Sequence, residues 1–327
     1  MDSQKENVKF SLSDELITKI TLDNPNLRNA TSNIPNLIVD HYEKLYDSID
    51  ENWKKTGNSR KLLKTLFSLK KDDAIVFLFN NYKNDSIIYN ISYYMGLFNH
   101  LELSQYINTI YFEALALGAA ENCDLELVKY AVSKGALNFN EIAYNFAFRG
   151  NLNGIEYALS MGAQYLNKIA FNAASGGHLH IVKYLLSMGA NDFKGIAVAA
   201  AEGGHLYIVE YAVSIGANNF NRIAYVAAIH GRLNVVEYAI SKGANNLDEI
   251  LYAAAFGDFL DIVEYIVSKG ANNFNLITYR GAFAGHLHVV EYGLNKGANN
   301  LDEIKSIATE NGHKNIVEYV ENITANK

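Results

Sequence analysis

The side chains best able to do chemistry in this chain are histidines, and two pairs stand one residue apart, His178-Leu179-His180 and His286-Leu287-His288. Imidazoles ligate zinc and carry protons near neutral pH. Adjacent carboxylates at Asp248-Glu249 and Asp302-Glu303 could share general acid and base roles. Each has a plainer use. Zinc needs every ligating nitrogen about 2 Å away, whereas packed helices lie about 8–10 Å apart, so equivalent histidines of neighbouring helices are poorly placed to share an ion. Acidic pairs at helix starts complement the free backbone N–H groups and the dipole there. Cys123 is the one cysteine, which rules out an internal disulfide or a CxxC site. No phosphate-binding glycine loop ending in Lys-Ser/Thr, no HExxH and no G-x-S-x-G is present. The expectation is a protein with no catalytic residue, no bound metal and no cofactor.

The elements that hold these residues announce themselves by spacing. Gly-Ala recurs at Gly135, Gly162, Gly189, Gly216, Gly243, Gly270 and Gly297, always 27 residues apart, and tyrosine keeps the same period from Tyr130 to Tyr319. A fixed period of this size marks a solenoid of small supersecondary units. In the unit Gly216–Lys242, Asn221 is placed to cap a first helix, as are Asn140, Asn167, Asp248, Asn275 and Asp302 in their units. Ile223, Ala224, Ala227 and Ala228 form a narrow apolar stripe, and Gly231 ends the helix. Leu233, Val235, Val236, Tyr238 and Ile240 give the second helix its buried side, closed by Gly243. Two helices this short are marginal alone, so each pair must be stabilised by its neighbours.

These residues resemble the ankyrin repeat family, in which Gly-His opens the second helix and Gly-Ala follows it. Here the motif reads Gly177-His178, Gly204-His205, Gly285-His286 and Gly312-His313. The family repeat is about 33 residues, and the residues missing here fall where ankyrins carry a β-hairpin finger. The shortened form resembles the ankyrin proteins abundant in giant DNA viruses of amoebae. The resemblance implies an all-α, ankyrin-type helical-pair solenoid with truncated or absent fingers. Cys123 and Asp258 depart from the family by replacing the in-phase glycine, which predicts altered helix ends there. The expected organisation is a helical N-terminal region or cap over 1–80, a degenerate repeat over 81–107 with Gly96 in the glycine column, eight repeats over 108–323 and a tail over 324–327. Lys314, Thr309 and Glu321 give the last repeat the polar outer face of a terminal cap.

The resemblance also implies a binding scaffold whose partner lies on the concave, helix-one side. Positions that do not repeat are the ones free to be tuned to a ligand. At the end of helix one they include Phe148, Arg149, Ile229, His230, Phe256 and Phe283, and one turn earlier Arg280. Aromatic residues and arginine supply most interface hot spots, so these seven are the expected partner contacts; the competing use of the aromatics is to fill grooves between repeats. Glu210, Glu237, Glu264, Glu291 and Glu318 predict an acidic stripe on the second helices, by default a solvated face.

Composition narrows the partners. Apolar residues make up 49% of the chain, enough for burial, and a net charge of −7 with no basic run opposes nucleic-acid binding. The polar N-terminus and the absence of an apolar run of membrane-spanning length point to a cytoplasmic protein that binds no membrane, and the expected state is a monomer with a protein partner. The N-terminal third contains both prolines, Pro25 and Pro35, and the one tryptophan, Trp53. Its segment Leu12–Ile20 faintly resembles the start of an F-box, which supplies the alternative of a substrate adaptor for a ubiquitin ligase.

Overall fold

A computed structural model describes residues 59–68, 70, 72, 75, 76, 79, 85–107 and 109–325. The F-box-like segment, both prolines and Trp53 lie outside them. Among the described residues the chain is helical throughout and has no strand. By internal contact it divides into Met1–Asn138 and Phe139–Lys327.

The first unit contains helices α1 (Ser59–Ser68), α2 (Asp85–Leu97), α3 (Phe112–Glu121) and α4 (Leu125–Ser133), with a 3-10 turn at Leu101–Gln105 between α2 and α3. Leu63, Leu66 and Phe67 bury the inner side of α1, and the Phe67 ring stacks on Phe98 at 6.1 Å. Helices α2 and α3 cross glycine on backbone. A Cβ on Gly96 would lie 2.1 Å from the Leu115 carbonyl oxygen, and one on Gly118 would lie 1.9 Å from that of Tyr93. Gly96 is therefore a packing residue inside α2 and not the glycine that ends it. That role falls to Asn99, whose φ of 49° precedes His100 as glycine precedes histidine in later repeats. The three-residue offset arises because the second helix has shrunk here to the 3-10 turn.

The second unit is a row of seven helical pairs: α5 (Phe139–Arg149) and α6 (Leu152–Ser160), α7 (Leu166–Ser175) and α8 (Leu179–Ser187), α9 (Phe193–Gly203) and α10 (Leu206–Ser214), α11 (Phe220–Ile229) and α12 (Leu233–Ser241), α13 (Leu247–Phe256) and α14 (Leu260–Ser268), α15 (Phe274–Ala284) and α16 (Leu287–Asn295), α17 (Leu301–Glu310) and α18 (Lys314–Ala325). Most first helices bury an isoleucine and a set of small residues, such as Ile223, Ala224, Ala227 and Ala228 of α11, all fully buried, while α5 places the bulky Phe146 among them. The small side chains let first helices approach closely along the row, while the second helices scarcely meet one another. A row packed tightly on one side and loosely on the other curves toward the tight side, so the first helices line its inner face. At the end of the row Lys305 pairs with Glu321 at 2.9 Å, while Thr309 and Lys314 face solvent. Charged and polar groups thus close the array.

Turn chemistry explains the period. Six serines, Ser133, Ser160, Ser187, Ser214, Ser241 and Ser268, donate to the carbonyl three residues back and tie off the second helices at 2.6–2.7 Å. First helices end on a residue in left-handed conformation. At Gly177 both conformation and space require glycine, since φ is +85° and a Cβ would meet the His205 ring at 2.7 Å. Cys123 and Asp258 adopt the same conformation, with φ of 61° and 70°, so the helix ends are kept where altered ends were expected. At Asp258 the side chain adds its own bonds, its Oδ1 lying 3.3 Å from His286 Nδ1 and 3.0 Å from His288 Nε2.

The asparagines expected to cap the first helices do something else. Helix α11 begins at Phe220, so Asn221 sits within its first turn. Its Oδ1 accepts from the Asn245 N–H at 2.9 Å, and its Nδ2 donates to Asn245 Oδ1 at 3.1 Å. Asn167 clasps Asn191, and Asn275 clasps Asn299, in the same way. Capping does occur two residues earlier, where Asp192 and Asn273 accept from N–H groups three residues on. The clasp joins consecutive repeats directly.

Candidate binding face

The candidate contact residues are held by the histidine column. His178, His205, His286 and His313 each point Nε2 back to the preceding repeat, at the carbonyl oxygens of Phe148, Ser175, Phe256 and Phe283, over 3.0–3.1 Å. A carbonyl only accepts, so each imidazole must donate from Nε2. Arg232 takes the same place and donates to the Glu202 carbonyl at 3.2 Å. Burial pushes the His178 pKa below its usual value; the Phe148 carbonyl opposes this, and His180 and His205 add to it. At the corresponding Phe259 the ring packs under Gly231 and Gly257 and makes no such bond. The backbone beneath Phe148, Phe256 and Phe283 is therefore latched to the next repeat, which fixes where those rings project.

Those three rings project outward, 44%, 38% and 37% exposed respectively, so they do not simply fill the grooves. Phe256 and Phe283 lie side by side with centroids 6.2 Å apart and planes tilted by 34°. Arg280 sits one turn before Phe283. Its guanidinium lies 3.8 Å from the centre of the Tyr252 ring and 5.1 Å from that of Tyr279. Phe256, Arg280 and Phe283 thus form one cluster on α13 and α15. Ile229 is half-buried beside it, and His230 turns away, its Nδ1 at 2.9 Å from the Val226 carbonyl and its Nε2 at 4.0 Å from Glu202. Phe148 and Arg149 stand four repeats off, with the Arg149 guanidinium 5.7 Å from the Phe148 ring centre.

Two contributors were passed over in the sequence, Tyr252 and Tyr279. Their signal is an in-phase aromatic column, Tyr144, Phe171, Tyr225, Tyr252 and Tyr279, that keeps cations over its rings: Lys168 over Phe171 at 4.6 Å and Arg222 over Tyr225 at 5.5 Å. Near its start an open cleft of about 630 Å³ is lined by Tyr144, Tyr165, Asn167 and Lys168, with no carboxylate, cysteine or histidine in its wall.

On the opposite side, the acidic stripe meets the tyrosine ladder. Burial raises the pKa values of Tyr184, Tyr238, Tyr292 and Tyr319, and Glu156, Glu210, Glu264 and Glu291 of the preceding repeats raise them further. Lys242, Lys269 and Lys296 lie 4.9–5.4 Å from the ring centres of their own repeats' tyrosines. The stripe is therefore partly engaged in packing between repeats. Among the described residues no group of three or more His, Cys, Asp or Glu side chains is placed to hold a metal ion, and no helix is long and apolar enough to cross a membrane.

No protein-family model and no curated protein matches the chain. Among solved structures it is similar to the human ASB11 ankyrin repeat domain, with 18% identity and a TM-score of 0.42, over 54% of this chain and 96% of that one. The chain's own geometry, successive helical pairs with no strand among the described residues and Gly-His turns latched from repeat to repeat, is that of an all-helical solenoid, consistent with an ankyrin-like fold.

Proposed function

We propose that this protein is a non-catalytic scaffold that holds a partner protein on the inner, helix-one face of its solenoid. The observation that carries the reading is the pair of exposed rings Phe256 and Phe283, with the half-buried Arg280 one turn before Phe283, on the side of the row where first helices pack together. Exposed aromatic surface of this kind is costly to leave in water and is typical of interface centres. Phe148, Arg149, Ile229 and His230 extend the contact surface along the same face. In this reading residues 108–323 are eight repeats, 81–107 a degenerate one and 1–80 a cap. The protein acts as a monomer in the cytoplasm, that of a host cell if the giant-virus resemblance reflects its origin.

The test is affinity capture from cell lysate, comparing the wild type with a Phe256→Ala/Arg280→Ala/Phe283→Ala variant shown by circular dichroism to be folded. A partner identified by mass spectrometry with the wild type should be lost with the variant. Equal recovery by both would move the binding site off this face.

A further inference from the structure

Arg280 is the one charged residue in its column, whose other members are Asn145, Asn172, Ala199, Val226, Ala253 and Ile307. Its guanidinium lies over the Tyr252 and Tyr279 rings, 3.8 and 5.1 Å from their centres. Nε is buried without an acceptor. Among the described residues no carboxylate pairs with this arginine, unlike Lys305, whose ammonium is taken by Glu321. Acids of the preceding and the following repeat are already engaged: Asp258 lies against His286 and His288, and Glu310 accepts from Ser306 at 3.1 Å.

An arginine lying over aromatic rings with Nε buried still has its terminal Nη groups, and these can meet a carboxylate in a two-point hydrogen bond. Stacking removes much of the rotamer freedom that such a bond would otherwise cost. Beside it, the Phe256 and Phe283 rings form an apolar shelf whose backbone is latched by His286 and His313. The chain carries a net charge of −7, which disfavours a strongly acidic partner at long range. Local and global electrostatics together select a single carboxylate with an apolar neighbour.

Building on the scaffold reading above, we propose that this cluster recognises a peptide segment of the partner in which one Asp or Glu carboxylate engages Arg280 and an adjacent large apolar side chain rests on Phe256 and Phe283. The tyrosines at 252 and 279 act as positioning residues that aim the guanidinium.

The probe is a library of random linear peptides displayed on phage and selected on the full chain, with selected peptides then measured by fluorescence anisotropy. Selected sequences should share an acidic residue beside a large apolar one, and Arg280→Gln should weaken them by about tenfold or more. Arg280→Lys should recover the loss only in part, because a lysine cannot make the planar two-point contact. Changing the peptide's carboxylate to the amide should cost a similar factor against the wild type and almost nothing further against Arg280→Gln. The wild-type half of that arm uses the unmodified protein and so does not depend on any variant folding. Peptides sensitive to Phe283→Ala but indifferent to Arg280→Gln and to the amide change, or peptides enriched in phosphate-mimicking clusters of acid or in basic residues, would overturn this inference and leave the scaffold reading standing. Failure to select any peptide, or selection of peptides untouched by every helix-one substitution, overturns both.

Discussion

Phe146→Ala should destabilise the second unit by about 3–5 kcal/mol, the usual cost of removing a fully buried aromatic ring. The larger interest is what repairs it. Elsewhere the position of Phe146 is filled by Ala173, Ala200, Ala227 and Ala254, and it faces a bulky residue from the second helix, Ile181, Ile208, Val235 or Ile262. In this repeat the sizes are exchanged: the second helix offers Gly154, and a Cβ there would lie 2.4 Å from the Phe146 ring. Gly154→Ile alone should therefore also be destabilising, by collision. The double variant Phe146→Ala/Gly154→Ile restores the arrangement of the other repeats and should recover most of the loss. A double-mutant cycle by denaturant unfolding reads the coupling directly. Simple addition of the two single losses would mean that the helical pairs do not share one packing plan.

Gly118→Ala should cost the first unit about 3 kcal/mol, at the upper end of what overpacking does. Alanine is favoured over glycine within a helix by about 1 kcal/mol, so local propensity alone makes the opposite forecast. Packing decides the sign. The new methyl would be placed 1.9 Å from the Tyr93 carbonyl oxygen and 2.7 Å from the Leu97 nitrogen, both backbone atoms that cannot swing aside. Helices α2 and α3 must separate, and the bond between Ser92 Oγ and the Tyr111 N–H at 3.0 Å should loosen with them. Hydrogen exchange should show faster opening of α2 and α3 with little change beyond Phe139. A neutral or stabilising effect would contradict the close crossing.

Much of the fold was legible because a solenoid repeats its instructions. The period located the helical pairs, and the alternation of bulky and small apolar residues identified their buried sides. The misreadings came from residues whose type suits two roles. Asparagine caps helices and also bonds distant backbone, and only the observed start of α11 at Phe220 shows that Asn221 reaches to Asn245. Gly96 kept the period of the turn glycines, but a shortened second helix moved the turn to Asn99 and left Gly96 in a crossing. Aspartate tolerates the left-handed conformation better than most residues, so Asp258 keeps a helix end that its side chain had put in question.

The candidate face was legible as a set of non-repeating positions, though not as a cluster. Counting along the chain gave Phe148 and Phe256 equal weight. Stacking of repeats brings Phe256 against Phe283 and leaves Phe148 with Arg149. Tyr252 and Tyr279 repeat in phase and so fell outside the non-repeating positions, yet their rings lie against the Arg280 guanidinium. The histidines were read as structural at helix starts, and their reach across 30 residues to the carbonyls under the candidate contacts could not be seen without the fold.

Whether a partner sits on the helix-one face is tested most directly by site-specific photo-crosslinking. A benzophenone amino acid replaces Phe283 on the inner face in one protein and Tyr265 on a second helix in another, each illuminated in cell lysate. A covalent adduct with one discrete protein from position 283, and none from position 265, is the expected result; an adduct from position 265 alone would place the partner on the tyrosine and glutamate ladder and contradict the claim.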